Sequence, residues 1–193
     1  MDESFSELAG RYEGLVGRHP DNVVVLRSLT KTWAMPGLRL GYAEGVPSLL
    51  AALRGQLQSW PLSSFGEAAA LRALADREWP ERSAAYVAEA GADLSAGLEA
   101  IEGLEVFTSP ANFVLVKLAR GRMAAPIAAY GLAEALPARG MAIRTFSAGE
   151  GLDDSWFRIA VRRPEENARF LAILRETLGL LIAKGAGERR PGP

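Results

Sequence analysis

One lysine, Lys31, is the residue of this chain best placed to do chemistry. It follows the apolar run Val23-Val24-Val25-Leu26, which predicts a buried strand too short to be a helix. Ligands of open α/β sheets bind outside the carboxyl ends of strands, so Lys31 falls where a cofactor would lie. Ser28 and Thr30 before it and Arg39 after it could hold a phosphate while the amine stays free. The same spacing also fits a solvated lysine among turn-forming hydroxyl residues, and the residues alone leave both interpretations open.

The segment around this lysine resembles the Schiff-base lysine motif of fold-type I pyridoxal-phosphate enzymes in the class I and II aminotransferase family. That motif has the pattern S-x-[ST]-K-x(7)-R-x-G, and here it reads R-S-L-T-K followed by P-G-L-R-L-G-Y. This version is most similar to the branch of threonine-phosphate decarboxylases and histidinol-phosphate aminotransferases. The resemblance implies that Lys31 is the catalytic lysine. It also implies that the cofactor is pyridoxal 5'-phosphate and is bound by Ser28, Thr30, Lys31 and Arg39.

The amino-terminal residues Asp2-Glu3-Ser4-Phe5 resemble the family's D-E-[AG]-[FY] element. In that element the aspartate lies at the end of a strand and pairs with the pyridine nitrogen of the cofactor, which implies a cofactor-binding role for Asp2. A carboxylate there keeps the ring protonated, and the protonated ring is the electron sink for a carbanion at the substrate α-carbon. Taken alone, Asp2 would be interpreted as a mobile terminal acid. Phe5 is assigned packing only.

Three residues of the second half are candidates for substrate binding. Arg158 and the residues after it, up to Glu165-Glu166-Asn167, resemble the family segment R-[IV]-x-[VI]-x-x-x-x-E-N, whose first arginine grips the substrate α-carboxylate. A guanidinium suits that task because its planar fork pairs bidentately and stays charged; an edge-strand salt bridge is the alternative. Arg162 is expected on the same strand face, because side chains alternate along a strand. Asn112 matches a family asparagine near the mouth of the active site, and a turn role is equally open.

Composition narrows the class of protein. The 193 residues carry 22 Lys+Arg and 23 Asp+Glu, a net charge of -1, so nothing marks a nucleic-acid or acidic-membrane partner. Cysteine is absent, which excludes disulfides and thiolate chemistry and agrees with a cytoplasmic enzyme. The sole histidine, His19, lies in a turn-like segment, so no metal site is expected. The sequence predicts neither a membrane span nor a signal peptide.

Hydrophobic periodicity predicts alternating helices and strands. A short helix is expected through Leu8, Tyr12, Leu15 and Val16, and a capping box is expected at Ser64 and Glu67. Trp60 is interpreted as a packing residue. Helices are predicted over residues 49–57, 68–75, 80–103, 125–138 and 164–183. Strands are predicted over residues 23–26, 104–107, 113–118, 141–146 and 156–161, the second and third of these forming a hairpin.

The resemblance implies an α/β fold: a remnant of the large domain of the pyridoxal-phosphate transferases, with a mostly parallel sheet, plus the complete α+β small carboxy-terminal domain. Residues 1–79 are assigned to the large domain, 80–186 to the small domain and 187–193 to a disordered tail. The resemblance covers only the second half of the family's usual sequence, without the helix amino terminus that cradles the cofactor phosphate. We therefore expect the isolated chain to bind cofactor poorly and to self-associate or need a complementary chain.

The function implied by the resemblance is the carboxy-terminal portion of a pyridoxal-phosphate enzyme similar to L-threonine-O-3-phosphate decarboxylase, of cobalamin biosynthesis. The alternatives are a transaminase similar to histidinol-phosphate aminotransferase and a non-catalytic truncated remnant. The implied partners are a small amino-acid substrate, phosphorylated, and a second copy in a homodimer of the full-length form. Neither nucleic acid nor membrane is an implied partner.

Overall fold

The computed structural model describes residues 1–10, 14–15, 17–119, 127–146 and 148–187. It divides into two compact units, residues 1–86 and 87–193. The division falls later along the chain than the boundary expected near Trp79. The described residues contain both helices and β-sheets, and the α/β fold class is confirmed. No helix in the described part is long and apolar enough to cross a membrane. The tail predicted to be disordered lies outside the described residues, apart from Gly187 at the end of the last helix.

The first unit carries the candidate lysine at the junction of a strand and a short helix. Its elements are β1 (Val25–Ser28), α1 (Leu29–Thr32), β2 (Gly41–Glu44), α2 (Pro47–Arg54), α3 (Ser64–Leu74) and the beginning of α4 (Trp79–Glu99). The strand predicted over residues 23–26 is thus shifted by two residues toward Lys31. The helix α1 follows the strand directly, and Lys31 is its third residue.

Two segments pair with the two edges of β1. On one edge β2 pairs antiparallel, with Ser28 opposite Gly41. Gly41 has no room for a side chain, because a Cβ atom there would lie 2.7 Å from the Arg27 carbonyl oxygen. On the other edge Asp2 forms a parallel bridge with Leu26. The sequence predicted a mostly parallel sheet here, and among the described residues of this unit the bridge is the one parallel pairing.

The prediction of an α-helix through Leu8 is wrong. The structure has a 3₁₀ turn over Ser6–Ala9, which ends at Gly10. Gly10 has a φ of 65°, in the left-handed region that glycine adopts readily, and this turns the chain out of a helical path. The predicted continuation at Tyr12 and Val16 lies outside the described residues.

The start of α3 also differs from the prediction. Ser63 caps the helix, because its extended backbone lies just outside it and its Oγ accepts a hydrogen bond from the Gly66 amide at 3.0 Å. Ser64 is already helical, so the capping box predicted with Glu67 does not form. Trp60, interpreted as a packing residue, is 91% exposed, and that interpretation is wrong.

The second unit contains a four-stranded antiparallel sheet with helices packed against one face. Its elements after α4 are β3 (Leu104–Phe107), β4 (Phe113–Leu118), α5 (Ala129–Ala135), β5 (Arg144–Thr145), β6 (Trp156–Ala160) and α6 (Pro164–Gly187). The strand order is β3-β4-β6-β5, and the predicted hairpin of β3 and β4 is confirmed. Strand β5 is shorter than predicted, and α5 passes into a 3₁₀ turn before Gly140.

Alternation along the strands decides which side chains of this sheet can form a site. One face packs into the core against α4, α5 and α6, through Val114, Val116, Leu118, Phe157 and Ile159. The intervening residues lie on the opposite face and are half-buried: Phe113, Leu115, Lys117, Trp156 and Arg158. Arg158 is therefore displayed on the side of the sheet that the core helices do not cover.

Candidate functional site

The hydroxyls beside Lys31 are gathered by the local geometry of the strand end. Ser28 caps α1, and its Oγ accepts a hydrogen bond from the Thr30 amide at 3.3 Å. The Ser28 and Thr30 hydroxyl oxygens are 2.7 Å apart. Lys31 Nζ donates to Thr30 Oγ1 at 3.3 Å. The structure therefore brings these three predicted site residues together at the carboxyl end of β1.

Phe5 contacts this lysine, a role that the sequence interpretation missed. Lys31 Nζ lies 5.4 Å from the centroid of the Phe5 ring, within the range of a cation–π interaction. Phe5 follows the parallel bridge between Asp2 and Leu26, so the segment carries the ring toward the end of β1. The short spacing between Asp2 and Phe5 was the sequence feature that could have indicated this contact. It does so only when the bridge between Asp2 and Leu26 is known, because the bridge places both residues beside β1.

Ser4 orients the Asp2 carboxylate and favours its ionised form. Asp2 Oδ1 accepts a hydrogen bond from the Ser4 amide at 2.9 Å and another from the Ser4 hydroxyl at 2.5 Å. These two bonds, the hydroxyl's first, hold the pKa of Asp2 below its ordinary value against the opposing effect of burial. The positive charges of the Met1 ammonium and, to a smaller extent, of Lys31 act in the same direction as the bonds.

A buried ion pair fastens the Asp2 segment to β1. Glu3 Oε2 lies 2.9 Å from Arg27 Nη2, and the two side chains are only 1% and 10% exposed. The Leu15 amide donates to Glu3 Oε1 at 2.9 Å, and Arg27 Nη1 donates to Ser6 Oγ at 2.6 Å. Glycine at position 14 leaves room for this ion pair, because a Cβ atom there would collide with Arg27 Nη2 and lie 2.6 Å from Glu3 Oε2.

The structure does not join Arg39 to the hydroxyl pair. Arg39 follows the 3₁₀ turn Pro36–Leu38 with a φ of 52°, and its side chain is exposed. Its Nη1 donates to the Pro36 carbonyl at 3.2 Å. No hydrogen bond links Arg39 to Ser28 or Thr30 in the described part of the chain, so its role toward a phosphate stays a prediction.

In the second unit, Arg158 is stacked and partly desolvated. Its guanidinium carbon lies 4.7 Å from the centroid of the Phe113 ring, which restrains the plane of the fork. Arg144 lies directly opposite on β5, and like charges at facing positions repel. Burial, followed by the charge of Arg144, lowers the pKa of Arg158. An anion bound at this pair would offset both costs.

Arg162 does not share the strand face of Arg158, and that expectation is wrong. Strand β6 ends at Ala160, and the Asn167 side chain bonds both the amide and the carbonyl of Arg162 at 3.0 Å, turning the chain into α6. The Arg162 guanidinium donates twice to Glu166 Oε1, at 3.0 and 2.8 Å. Hydrogen bonds from Arg162 and Arg163 lower the pKa of Glu166 to about 2. Arg162 is therefore engaged at the start of α6.

Asn112 lies in the turn between β3 and β4, beside the stacked pair of Phe113 and Arg158. Its carbonyl accepts a hydrogen bond from the Val161 amide at 2.9 Å. The backbone of Asn112 therefore extends the pairing of β4 with β6. This fits the turn role that the sequence left open, and a contact to substrate stays a prediction.

A family model described as aminotransferase class I and II matches residues 1–174. The chain belongs to the class I and II aminotransferase family. Members of this family depend on pyridoxal phosphate. The predicted resemblance is thereby confirmed at the level of the family.

Individual members of the aminotransferase family match nearly all of this chain. A putative threonine-phosphate decarboxylase from Caldanaerobacter subterraneus subsp. tengcongensis is 34% identical over 180 residues, 91% of this chain and 47% of that protein. The crystal structure of the histidinol-phosphate aminotransferase from Clostridium acetobutylicum matches with a TM-score of 0.82 and 29% identity, over 92% of this chain and 53% of that one. The histidinol-phosphate aminotransferase from Sinorhizobium meliloti, solved in complex with pyridoxal-5'-phosphate, matches with a TM-score of 0.77 and 25% identity, over 93% and 48%. The chain spans about half the length of these relatives.

The groups around Lys31 fit the cofactor on which the aminotransferase family depends. They comprise an amine, two hydroxyls 2.7 Å apart and a carboxylate whose ionised form is favoured. The amine suits the cofactor's aldehyde, the two hydroxyls suit its phosphate, and the carboxylate suits its protonated ring nitrogen. Within the described residues, no group of three His, Asp or Glu side chains could hold a metal ion.

We expect Glu3→Gln to destabilise the first unit by about 3 kcal/mol, because it removes one partner of a buried ion pair and leaves Arg27 with Glu7 Oε1 at 3.8 Å. Urea denaturation, together with exchange of the Leu26 amide proton, measures the loss. Glu78→Gln is the matched control, since it breaks an exposed pair with Arg82 and should cost less than about 1 kcal/mol. Equal losses of unfolding free energy in the two variants would contradict a stabilising role for the Glu3–Arg27 ion pair.

Proposed function

We propose that this chain provides the catalytic lysine and the substrate-binding domain of a pyridoxal-phosphate enzyme that decarboxylates a phosphorylated amino acid similar to L-threonine-O-3-phosphate. The observation that carries the proposal is the cluster of Lys31, Ser28 and Thr30 at the end of β1, within a chain of the aminotransferase family. The relatives named threonine-phosphate decarboxylase support a place in cobalamin biosynthesis.

Each residue of the cluster has a role that its chemistry suits. Lys31 would hold the cofactor through its aldehyde carbon. Ser28, Thr30 and Arg39 would bind its phosphate, and Asp2 would pair with its ring nitrogen. When bound, the cofactor supplies an electron sink for the substrate α-carbon. The contribution of the chain is to bind and orient, and the Phe5 ring beside the amine limits where Lys31 can point.

The paired arginines of the second unit support a substrate with two anionic groups. Arg158, stacked on Phe113, suits the α-carboxylate because its fork is restrained. Arg144, opposite it, suits a phosphate and is now held by Glu150 at 2.6 Å. The Glu150 carboxylate balances only one of the two facing guanidinium charges, so a ligand with two anionic groups gains more than a singly charged one. The proposed substrate is therefore phosphorylated.

Decarboxylation and transamination differ in which bond of the substrate is held perpendicular to the cofactor ring. The motifs S-L-T-K and P-G-L-R-L-G-Y, together with A-V-R at Ala160–Arg162, favour the decarboxylase. The TM-score of 0.82 to the Clostridium acetobutylicum enzyme favours transamination of a substrate similar to histidinol phosphate, the second candidate. A non-catalytic remnant is the third.

The proposed assembly is a cytoplasmic homodimer of the full-length form, with residues 1–79 in the large domain and 80–186 in the small one. Its support is the exposure of large apolar side chains between α2 and the middle of α3: Leu57, Trp60, Phe65 and Leu71 at 60%, 91%, 74% and 66%. Exposed apolar residues that are close in sequence suit an interface. This segment therefore suits contact with another polypeptide.

Borohydride reduction of the chain mixed with pyridoxal phosphate should fix pyridoxyl on Lys31, because a lysine imine is reducible and the other cofactor contacts are not. Peptide mass spectrometry locates the label. We expect weak labelling of the chain alone and strong labelling when the amino-proximal half of the Caldanaerobacter relative is added. Lys31→Arg is the control, and label on Lys117 or Lys184 would refute the assignment.

With the same complementary half present, we expect threonine phosphate to lose carbon dioxide and leave the corresponding amine. The reason is that S-L-T-K, P-G-L-R-L-G-Y and A-V-R together favour the decarboxylase within a branch that also contains histidinol-phosphate aminotransferases. Carbon dioxide release and keto-acid formation are measured in one assay, with the Lys31→Arg chain as control. A keto product without carbon dioxide would overturn decarboxylation in favour of transamination.

Arg144→Gln should weaken binding of threonine phosphate about tenfold and leave binding of threonine nearly unchanged, because it removes one charge-assisted hydrogen bond to the phosphate. Arg158→Gln should weaken both ligands, since both carry the α-carboxylate. Calorimetry measures the affinities, and exposed Arg175→Gln on α6 is the control. Equal losses for the two ligands in Arg144→Gln would contradict the phosphate role.

A further inference from the structure

Ser4 is a polar residue whose two donors meet on one oxygen of Asp2. The family element has alanine or glycine at this position, whereas this chain has serine. The Ser4 amide and hydroxyl donate to Asp2 Oδ1 at 2.9 and 2.5 Å. The hydroxyl bond is therefore an addition that neither alanine nor glycine could make.

The backbone on both sides of Asp2 is already fixed. The Leu26 amide donates to the Met1 carbonyl, and the Glu3 amide donates to the Leu26 carbonyl, both at 2.9 Å. The Glu3 side chain is held by Arg27. The freedom that remains at Asp2 is rotation of its carboxylate. Two donors on Oδ1 restrict that rotation, and Oδ2 accepts no hydrogen bond from the residues that the structure describes.

Hydrogen bonds to the ionised form make a carboxylate a poorer proton acceptor. A protonated nitrogen that faces Oδ2 therefore keeps its proton, and the two groups form an ion pair. We propose that Ser4 is a positioning residue that presents Asp2 Oδ2 as a counter-ion to the protonated ring nitrogen of the cofactor. This inference rests on the proposed function, because it takes the bound group to be pyridoxal phosphate.

The first test needs no cofactor. Carbon-13 NMR of the full chain follows the Asp2 carboxyl group through a pH titration, with Asp2→Asn to assign its signal. The folded pKa is depressed, so wild-type Asp2 stays ionised to a lower pH than an ordinary aspartate. Ser4→Ala should shift the midpoint upward, whereas Ser4→Thr, which restores a hydroxyl, should return it toward the wild-type midpoint.

Ser6→Ala is the matched control, since Ser6 lies in the same segment and bonds the Glu3 carbonyl and Arg27 rather than Asp2. Its Asp2 midpoint should equal that of the wild type. An unshifted midpoint in Ser4→Ala would overturn the proposal, as would an equal shift in Ser6→Ala. Exchange of the Leu26 amide confirms that each variant keeps the bridge to Asp2.

The second test uses the chain together with the amino-proximal half of the Caldanaerobacter relative, with cofactor labelled with nitrogen-15 in the ring and fixed to Lys31 by borohydride. The ring signal should be that of a protonated nitrogen in the wild type and should move toward the unprotonated position in Ser4→Ala. An identical signal in both would overturn the counter-ion role. Absence of label on Lys31 would instead refute the proposed function, and the carboxyl titration would still decide whether Ser4 governs Asp2.

Discussion

The Glu3–Arg27 ion pair is the interaction on which the site of the first unit depends. Removing two charges from water is costly, and the pair persists because the Leu15 amide and the Ser6 hydroxyl supply further hydrogen bonds. The missing side chain at Gly14 admits the backbone to this position. The pair thereby fixes the segment that carries Asp2 against the strand that leads into Lys31.

The second unit meets a different constraint, the pleat of its sheet. Phe157 and Ile159 fill the core, so Arg158 between them must lie on the other face. Antiparallel pairing with β5 then sets Arg144 opposite it. Burial and the charge of Arg144 lower the pKa of Arg158, while Glu150 pairs with Arg144. Perturbed pKa values cluster at functional sites. The face of the sheet that carries Arg158 is therefore a candidate binding face.

Much of the second unit could be predicted because its signals are local and strong. Strands β3 and β4 have the predicted bounds, since alternating side chains flank a Ser-Pro turn. Prediction failed where the sequence offered two equivalent positions for one feature, or where the apolar spacing took no account of the backbone conformation. Serine at positions 63 and 64 offered two caps for one helix, and only the extended backbone of Ser63 decided between them. Gly10 interrupted a helical spacing that apolar residues alone suggested.

The sequence by itself determined the group around Lys31. Ser28 and Thr30 are within three residues of the lysine, so one strand end and one helical turn suffice to bring them together. Only the tertiary structure decided the contacts between residues that are distant in sequence. The Phe5 ring lies near Lys31 because a parallel bridge joins Asp2 to Leu26, which is 24 residues further along the chain. Arg144 faces Arg158 because of the register of β5 and β6. Spacing along the chain does not encode register, because hydrogen bonds between strands and burial of one face select it only when the whole sheet forms.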